Sequence, residues 1–282
     1  MSPSPNLRQA LQQARQLGLE RLDAQCLLLL ALGRRPEQRA WLCAHDEQVL
    51  TEDAAARWAL LLQRRLQGEP LAYLSGEKEF FGLPLRVDAR VLVPRPETET
   101  LVQWAIERLD AQAQSAPQVL DLGTGSGAIA LAIKSQRPAA RVRASDASAQ
   151  ALALARANAQ RLGLAVEFHQ GHWLLPFGSG ADFDLIVSNP PYIAEGDPHL
   201  PALRHEPLGA LCAGPDGLDE LRAIITAAPL ALRPGGWLLL EHGHDQAAAV
   251  RALLRTAGFA LPSSRCDLAG IERCSGGQWP QA

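Results

Sequence analysis

The sequence predicts an α/β protein in which a small N-terminal helical bundle and a hairpin connector precede a doubly wound parallel sheet. Apolar residues three and four apart, such as Leu19, Leu22 and Cys26, predict helices from residue 6 to about residue 67. Beyond about residue 94, short apolar strands alternate with helical segments, as they do in parallel sheets covered by helices. The predicted domains are therefore a helical domain at 1–72, a hairpin connector at 73–93 and a sheet domain at 94–282.

Turn and cap residues place the boundaries of these elements. Gly33 and Pro36 interrupt the helical pattern, and Thr51 begins a further helix. The hairpin connector alternates like a pair of strands, with turns near Gly76 and Gly82. Strands are predicted after it at 119–121, 141–144, 166–169, 185–188 and 237–241, helices at 128–134 and 149–162, and a further strand with a terminal hairpin after residue 259.

Composition excludes several classes of protein. The chain has 282 residues, 47% of them hydrophobic, which excludes a disordered or collagen-like protein. Its 27 basic and 30 acidic residues give a net charge of −3, without the basic excess of a dedicated nucleic-acid binder. The five cysteines are scattered and no metal-ligand spacing is present, so no disulfide framework and no metal are expected. The sequence shows no signal peptide, and its longest apolar run falls far short of the ~20 residues that span a bilayer, so we expect a cytoplasmic protein.

A glycine-rich segment follows the first strand of the predicted sheet, where the chain must turn into a helix. It reads Asp-Leu-Gly-Thr-Gly-Ser-Gly, and glycines there allow positive φ and close approach of a ligand to the backbone. The spacing differs from the G-x-G-x-x-G of dinucleotide binders and suits S-adenosylmethionine, which offers a carboxylate and a sulfonium instead of a pyrophosphate. The predicted cofactor-binding residues of this turn are Gly123, Thr124, Gly125, Ser126 and Gly127.

Two acidic residues and one aromatic residue complete the predicted cofactor site. Asp121, at the end of the strand before the turn, is expected to receive the ammonium group of the cofactor. Asp146 follows the second strand, at the separation expected of an acid that binds the two ribose hydroxyls. Trp173 follows the third strand, where its ring would cover the adenine, and packing in the core is the alternative for it. The alternative to a cofactor site is a purely structural role, in which the glycine-rich segment is a tight turn beside an Asp that caps a helix.

The most specific motif in the chain is Asn189, Pro190, Pro191 and Tyr192, which follows the fourth strand. Ligands bind beyond the carboxyl ends of parallel strands, so this loop is expected to face the same crevice as the glycine turn. The Asn189 side chain and the Pro190 carbonyl offer two acceptors to one NH₂ group, and Tyr192 can stack on the planar group that carries it. Such a site suits nitrogens with a delocalised lone pair, namely carboxamides and the exocyclic amino groups of bases. A purely structural Pro-Pro turn is the alternative.

Together these motifs resemble class I S-adenosylmethionine-dependent methyltransferases, whose sheet is Rossmann-like. Pro-Arg-Pro-Glu-Thr-Glu at 94–99 and Leu-Leu-Leu-Glu-His-Gly at 238–243 narrow the resemblance to the peptide-chain release factor glutamine methyltransferases, over nearly the whole chain. The resemblance implies transfer of a methyl group from S-adenosylmethionine to the amide nitrogen of the Gln in the Gly-Gly-Gln motif of release factors. We expect a monomer that docks this protein partner through domain 1–72, with no stable nucleic-acid or membrane partner.

The resemblance also implies roles for individual residues. It places cofactor contacts at the glycine turn, Asp146, Trp173 and Asn189, with the substrate amide held by the loop that begins at Asn189. Family members often carry an acid just before the aromatic position, which accepts from the adenine amino group, whereas this chain has His172 there. The resemblance also places residues 94–99 beside the cofactor. Arg95, Glu97 and Glu99, together with Asp121, are therefore expected to support the cofactor site.

Other functions fit parts of the same pattern. Methylation of an adenine amino group in DNA or RNA uses the same loop chemistry, but the net charge of −3 and the lack of a large base-reading insertion count against it. A nucleotide-binding regulatory or assembly protein is a non-enzymatic alternative. An NAD-linked oxidoreductase leaves the Asn189 loop unexplained and lacks the proper glycine spacing. The tripeptide Gly276-Gly277-Gln278 repeats the motif that the family modifies; a glycine-rich hairpin turn is predicted there, and self-methylation is the alternative.

Overall fold

A computed structural model describes residues 5–112, 114–178, 180 and 182–281. The chain divides into two compact units, the first ending at Glu77 and the second beginning at Lys78. This division falls within the predicted connector at 73–93. Among the described residues, no helix is both long and apolar enough to cross a bilayer.

The described part of the first unit is helical, and two of its helices begin at side chains that satisfy free backbone N–H groups. Asn6 forms a capping box with Gln9, and Thr51 caps the helix that follows it, as predicted. The apolar helix faces enclose a core that includes Leu28 and Trp58. The helices are α1 (Leu7–Gln16), α2 (Arg21–Ala31), α3 (Arg39–Ala44), α4 (Glu52–Leu66) and α5 (Leu71–Ser75).

A seven-stranded sheet organises the second unit, in the order β5-β4-β3-β6-β7-β9-β8. The first five strands in this order are parallel, and β9 runs antiparallel to both of its neighbours. A separate two-stranded hairpin of β1 (Glu77–Phe80) and β2 (Leu83–Arg86) precedes it. The strands of the large sheet are β3 (Gln118–Leu122), β4 (Arg141–Asp146), β5 (Glu167–Gln170), β6 (Phe183–Ser188), β7 (Leu232–Glu241), β8 (Ala260–Cys266) and β9 (Glu272–Gln278).

Helices cover both faces of this sheet, which confirms the predicted doubly wound α/β fold. Successive strand residues point to opposite faces, so Val119 and Leu185 join one core while Leu120 and Ile186 join the other. The helices of the second unit are α6 (Glu99–Asp110), α7 (Ala128–Gln136), α8 (Ala149–Leu162), α9 (Asp219–Ala227) and α10 (Ala247–Thr256). Helices α6 and α7 pack in the first core, and α9 and α10 pack in the second.

Strand β7 begins at Leu232, five residues before the predicted start at Trp237. The first half of the strand was not predicted, because it contains the turn-forming residues Pro234, Gly235 and Gly236. The structure accommodates them through an irregularity, because the pairing of β7 with β6 changes register between Phe183 and Leu185.

The glycine-rich turn predicted at Gly276-Gly277-Gln278 is wrong, because these residues lie in β9 between β7 and β8. A Cβ on Gly276 would lie 2.6 Å from the Leu238 carbonyl oxygen, so close strand packing is the reason for glycine at this position. The Gln278 amide nitrogen donates to the Gly235 carbonyl at 2.9 Å. This amide is therefore hydrogen-bonded within the sheet, on a strand that has a neighbour on each side, which counts against self-methylation.

Replacing Gly276 with Ala should destabilise the second unit, because the added Cβ would collide with the backbone of β7. We expect the free energy of unfolding, measured by urea denaturation, to fall by about 1–3 kcal/mol, the usual range for an overpacked core. Gly209→Ala is the control, since a Cβ at Gly209 would have no heavy atom within 4 Å. If the Gly276 and Gly209 variants shifted the urea unfolding midpoint equally, the packing argument would be wrong.

Candidate cofactor and substrate site

A cavity of about 330 Å³ lies beyond the carboxyl ends of β3, β4 and β6. Leu122 on β3 is opposite Ser145 on β4 and Ser188 on β6, so the three following loops leave the sheet at one edge. The cavity wall brings together the predicted residues Arg95, Gly123, Thr124, Gly125, Ser126, Asp146, Trp173, Asn189 and Pro191. Outside this wall lie the predicted residues Asp121, Gly127, Pro190, Tyr192, Glu97 and Glu99.

The glycine turn wraps the end of β3 and leads into α7. Gly123 and Gly127 have φ values of +69° and +86°, a region that disfavours residues with a Cβ. A Cβ on Gly123 would also lie 3.0 Å from the Trp173 ring, inside the cavity wall. The backbone N–H of Thr124 donates to the Ser145 carbonyl at 3.0 Å, which ties the turn to the end of β4. Gly127 thus shapes the turn without contacting the cavity.

Asp121 lies beneath the turn, where only 1% of its surface is exposed. Its Oδ2 accepts hydrogen bonds from the Thr124 hydroxyl at 2.6 Å and from the Ala130 N–H at 3.2 Å. Burial raises the pKa of this carboxyl to about 7. Asp121 therefore holds the turn and the start of α7 through Oδ2. Among the described residues its Oδ1 has no hydrogen-bond partner, and a contact with an ammonium group stays a prediction.

Asp146 is an acidic residue on the cavity wall, at the end of β4. Its Oδ2 accepts from the Gly125 N–H at 2.9 Å and its Oδ1 accepts from the Ser148 N–H at 2.8 Å. Burial raises the pKa of this carboxyl, and the two backbone hydrogen bonds oppose that rise. Each carboxylate oxygen keeps a further lone pair, which suits the pair of vicinal ribose hydroxyls expected from the sequence.

Asn189 enters the cavity from the end of β6. Ser188 fixes this strand end, because its hydroxyl donates to the Leu122 carbonyl at 2.7 Å. The Asn189 Nδ2 donates to the Thr98 hydroxyl at 3.3 Å, which holds the NH₂ end of the amide in a hydrogen bond within the protein. The Oδ1 end remains as the acceptor that the sequence analysis expects at this position.

The rest of the Asn189 loop is supported from behind the cavity. Pro190 is buried, and Tyr192 packs against the core on the α9 and α10 side. The Gln246 amide nitrogen donates to the Tyr192 carbonyl at 3.0 Å. Burial raises the pKa of the Tyr192 hydroxyl, which keeps this phenol neutral. Stacking of Tyr192 on the substrate remains a prediction.

Glu241 is a buried acid that the sequence analysis did not assign to the site. It ends β7 next to Asn189, because Leu240 is opposite Ser188 in the sheet, and only 2% of its surface is exposed. Burial raises the pKa of Glu241 to about 7, while hydrogen bonding from Thr98 and Asn189 opposes this rise. Among the residues that the structure describes, its Oε2 has no hydrogen-bond partner. The sequence signal for Glu241 was an acidic residue at the end of an apolar strand.

The segment 94–99 supports the cavity without placing all of its charges there. Arg95 pairs with the buried Glu206, whose other oxygen accepts from the Val93 N–H at 2.9 Å. Glu99 accepts from the Phe81 N–H at 2.9 Å and so holds the β1–β2 hairpin turn. Glu97 acts through charge, since it raises the pKa of Glu241. Arg95 is thus the predicted supporting residue of this segment that lies on the cavity wall.

Trp173 and Glu220 form the wall beyond β5. The Trp173 Nε1 donates to the Glu220 Oε2 at 2.7 Å, and the His172 Nε2 lies 3.7 Å from the same oxygen. Glu220 is 47 residues away along the chain, on α9, and no motif marks it. Sequence analysis therefore had no local signal with which to find it.

Comparison with known proteins agrees with this geometry. The family model described as "Methyltransferase small domain" matches residues 101–205, and "PrmC N-terminal domain" matches residues 6–76. The release factor glutamine methyltransferase of Bordetella pertussis is 52% identical over 262 residues, which is 92% of this chain and 95% of the relative. A relative of the same name from Vibrio cholerae is 45% identical over 278 residues, 97% of this chain and 95% of its own. This chain belongs to the release factor glutamine methyltransferase family.

A solved structure shares the fold of this family member. The Thermus thermophilus 16S rRNA N2 G1207 methyltransferase, in complex with AdoMet and guanosine, superimposes with a TM-score of 0.54 at 20% identity. The match covers 72% of this chain and 49% of the other. At this identity the likeness concerns the methyltransferase fold alone.

The cavity of this release factor glutamine methyltransferase family member fits S-adenosylmethionine, which is its cofactor. Asp146 offers acceptors for the ribose hydroxyls, and Gly123 leaves open the space that a Cβ would fill. Ala128 and Ile129 add apolar wall. The described residues contain no group of His, Cys, Asp and Glu side chains that could hold a metal ion.

Replacing Asp146 with Ala should weaken binding of S-adenosylhomocysteine by about 10–100-fold, as expected for the loss of hydrogen bonds to a charged group. Isothermal titration calorimetry measures this affinity without any protein substrate. Asp110→Ala is the matched control, since Asp110 lies at the far end of α6 and pairs with Arg137. Unchanged affinity of the Asp146 variant would show that this carboxylate does not contact the cofactor.

Proposed function

We propose that this protein transfers the methyl group of S-adenosylmethionine to the side-chain amide nitrogen of the Gln in the Gly-Gly-Gln motif of peptide-chain release factors. The observation that carries the proposal is the orientation of Asn189 in the cofactor cavity. Its NH₂ end is held by Thr98, so its carbonyl oxygen is the end presented to a substrate. The named relatives, 45% and 52% identical over more than nine-tenths of the chain, support the same reaction.

The chain's part in the reaction is to bind and orient an amide. The Asn189 Oδ1, on the cavity wall, accepts one N–H group of the target Gln. The Pro190 carbonyl is the second acceptor predicted from the sequence, although Pro190 itself lies outside the described wall, and two such acceptors localise electron density on the nitrogen. Pro190 and Pro191 fix φ on either side of this acceptor, so its direction does not depend on the substrate. Alignment of the two reactants can contribute up to ~7–11 kcal/mol to lowering the barrier.

The methyl transfer needs no further catalytic group from the protein to balance its electrons and protons. When bound, S-adenosylmethionine supplies a methyl group on a cationic sulfur, and the C–S bond electrons return to that sulfur as the N–C bond forms. Asn189 and Pro190 hold the amide while its nitrogen releases one proton to water. Neither the neutral Tyr192 hydroxyl nor the buried Glu241 is needed as a base.

The first unit is the proposed docking surface for the release factor. Leu60 and Leu66 on α4 are 55% and 45% exposed and so are available to a partner. A second cavity of about 380 Å³ is lined in part by Leu66 and Trp58, and within the described residues the buried Trp58 Nε1 has no hydrogen-bond partner. A peptide carbonyl entering this cavity would satisfy that donor. We further propose action as a monomer in the cytoplasm, where release factors work.

The function is tested by incubating the protein with purified release factors and isotopically labelled S-adenosylmethionine. Tandem mass spectrometry is expected to find one added methyl group on the Gln of the Gly-Gly-Gln peptide. A release factor with that Gln changed to Ala is the substrate control, and DNA and RNA are added in parallel. Label found only in nucleic acid would contradict the proposal and favour adenine methylation.

Replacing Asn189 with Ala removes one of the two acceptors for the target amide. We expect kcat for release factor methylation to fall by roughly 10²–10³-fold, similar to the loss of one preorganised hydrogen-bonding group in other enzymes. The control Gln136→Ala alters an exposed residue at the end of α7. If kcat of the Asn189 variant stays within a few-fold of wild type, the amide-binding role is wrong.

Replacing Glu241 with Gln should lower kcat by about tenfold while the affinity for S-adenosylhomocysteine stays within about twofold. A carboxylate beside Asn189 accepts only, so it favours the orientation that sends Oδ1 into the cavity; a Gln can donate and removes this preference. The control is Glu272→Gln, a half-exposed acid on β9 that pairs with Arg251. Equal losses in kcat and in cofactor affinity would indicate general disruption instead of a positioning role.

A further inference from the structure

The order of strands fixes which end of the cavity receives the base of the cofactor. From one side of the sheet to its centre, the loops after β5, β4, β3 and β6 follow one another. The ribose hydroxyls belong at Asp146 after β4, and the reacting sulfur must lie near Asn189 after β6. The base therefore extends the other way, toward the residues that follow β5, where Trp173 lines the cavity.

Glu220 is the acid that lines this end of the cavity. Its side chain is 28% exposed and reaches the wall from α9. Both of its contacts with the β5 loop fall on one oxygen: the Trp173 Nε1 donates to Oε2 at 2.7 Å, and the His172 Nε2 lies 3.7 Å from it. Within the described part of the chain no hydrogen bond is made to Oε1. The carboxylate is thus fixed by one oxygen and has acceptor capacity on the other.

A fixed carboxylate can select one group of the base. Adenine carries a single strong donor, its exocyclic amino group, while its ring nitrogens are acceptors that a carboxylate repels. The Trp173 Nε1 donates to Oε2 and the His172 Nε2 lies 3.7 Å from it, so of these three side chains Glu220 is the one that offers an acceptor to the base. The ammonium group of the cofactor, another possible partner for an acid, belongs to the opposite end, near Asn189.

We propose that Glu220 recognises the adenine amino group of S-adenosylmethionine and is the residue that makes this site specific for adenine. Trp173 and His172 are positioning residues for its carboxylate. The inference rests on the proposed function only through the identity of the cofactor, and it requires no release factor.

The test compares the binding of two ligands by isothermal titration calorimetry. S-Adenosylhomocysteine carries the amino group, whereas S-inosylhomocysteine carries a carbonyl oxygen in its place. Wild type should bind the adenine compound tighter by about tenfold or more, because the carboxylate repels the oxygen that replaces its donor. Glu220→Gln should reduce this preference to about threefold or less, since a Gln can donate to that oxygen while its own oxygen still accepts from Trp173.

Asp219→Asn is the matched control, because Asp219 is the neighbouring acid on α9 and pairs with Arg222 at 2.9 Å. It should keep the wild-type preference. Thermal unfolding of each variant verifies the fold, and Glu220→Ala, which also abolishes the preference, serves if the Gln variant does not fold.

Three outcomes would overturn the inference. The first is equal binding of both ligands by wild type. The second is weakening of both ligands by the same factor in Glu220→Gln, as loss of an ammonium contact or of wall packing would produce. The third is unchanged binding of both ligands in Glu220→Gln. These results are distinct from failure of the proposed function. A shifted base preference in a protein that does not methylate release factors would leave the assignment of Glu220 intact.

Discussion

Both oxygens of the Asp146 carboxylate accept backbone N–H groups, one from Gly125 in the turn after β3 and one from Ser148 at the start of α8. This one side chain therefore joins two loops that the sheet alone would leave independent. Ser145 extends the connection, since its carbonyl accepts from Thr124 and its hydroxyl donates to the Trp173 carbonyl at 3.0 Å. The geometry for ribose, base and glycine turn is consequently set by one network, and a shift in any part of it moves the rest.

Three buried acids of the second unit share a pattern that explains why the fold tolerates them. Asp121 lies under the glycine turn, Glu241 behind Asn189, and Glu206 under Arg95, each directly behind a segment of the cavity wall. Removing a carboxylate from water costs several kcal/mol, and replacement by apolar side chains is often neutral or stabilising. Their value is therefore directional, since a charged acceptor fixes the orientation of the hydroxyl, amide or guanidinium in front of it.

Sequence reasoning succeeded where a function depends on local chain geometry. The glycine turn, Asp146 and Asn189 each follow a strand directly, so a strand prediction and the rule for parallel sheets suffice to bring them to one cavity. It failed where a contact joins distant elements. Glu220 meets Trp173 only because α9 packs over the sheet, and Glu206 meets Arg95 across more than a hundred residues. The turn prediction at Gly276 failed for another reason, because glycine occurs at sites of close strand packing as well as in turns.

The choice of an amide at Asn189 and of an acid behind it follows from the chemistry of the nitrogen to be methylated. A charged acceptor facing the substrate would also attract the cationic sulfur and favour a contact in the ground state, which lowers no barrier. A neutral Oδ1 grips the amide hydrogens without that competition. The carboxyl of Glu241 lies one layer back, where it is hydrogen-bonded to Asn189 and orients the NH₂ end of that amide. The site thus separates the group that touches the substrate from the group that gives it direction.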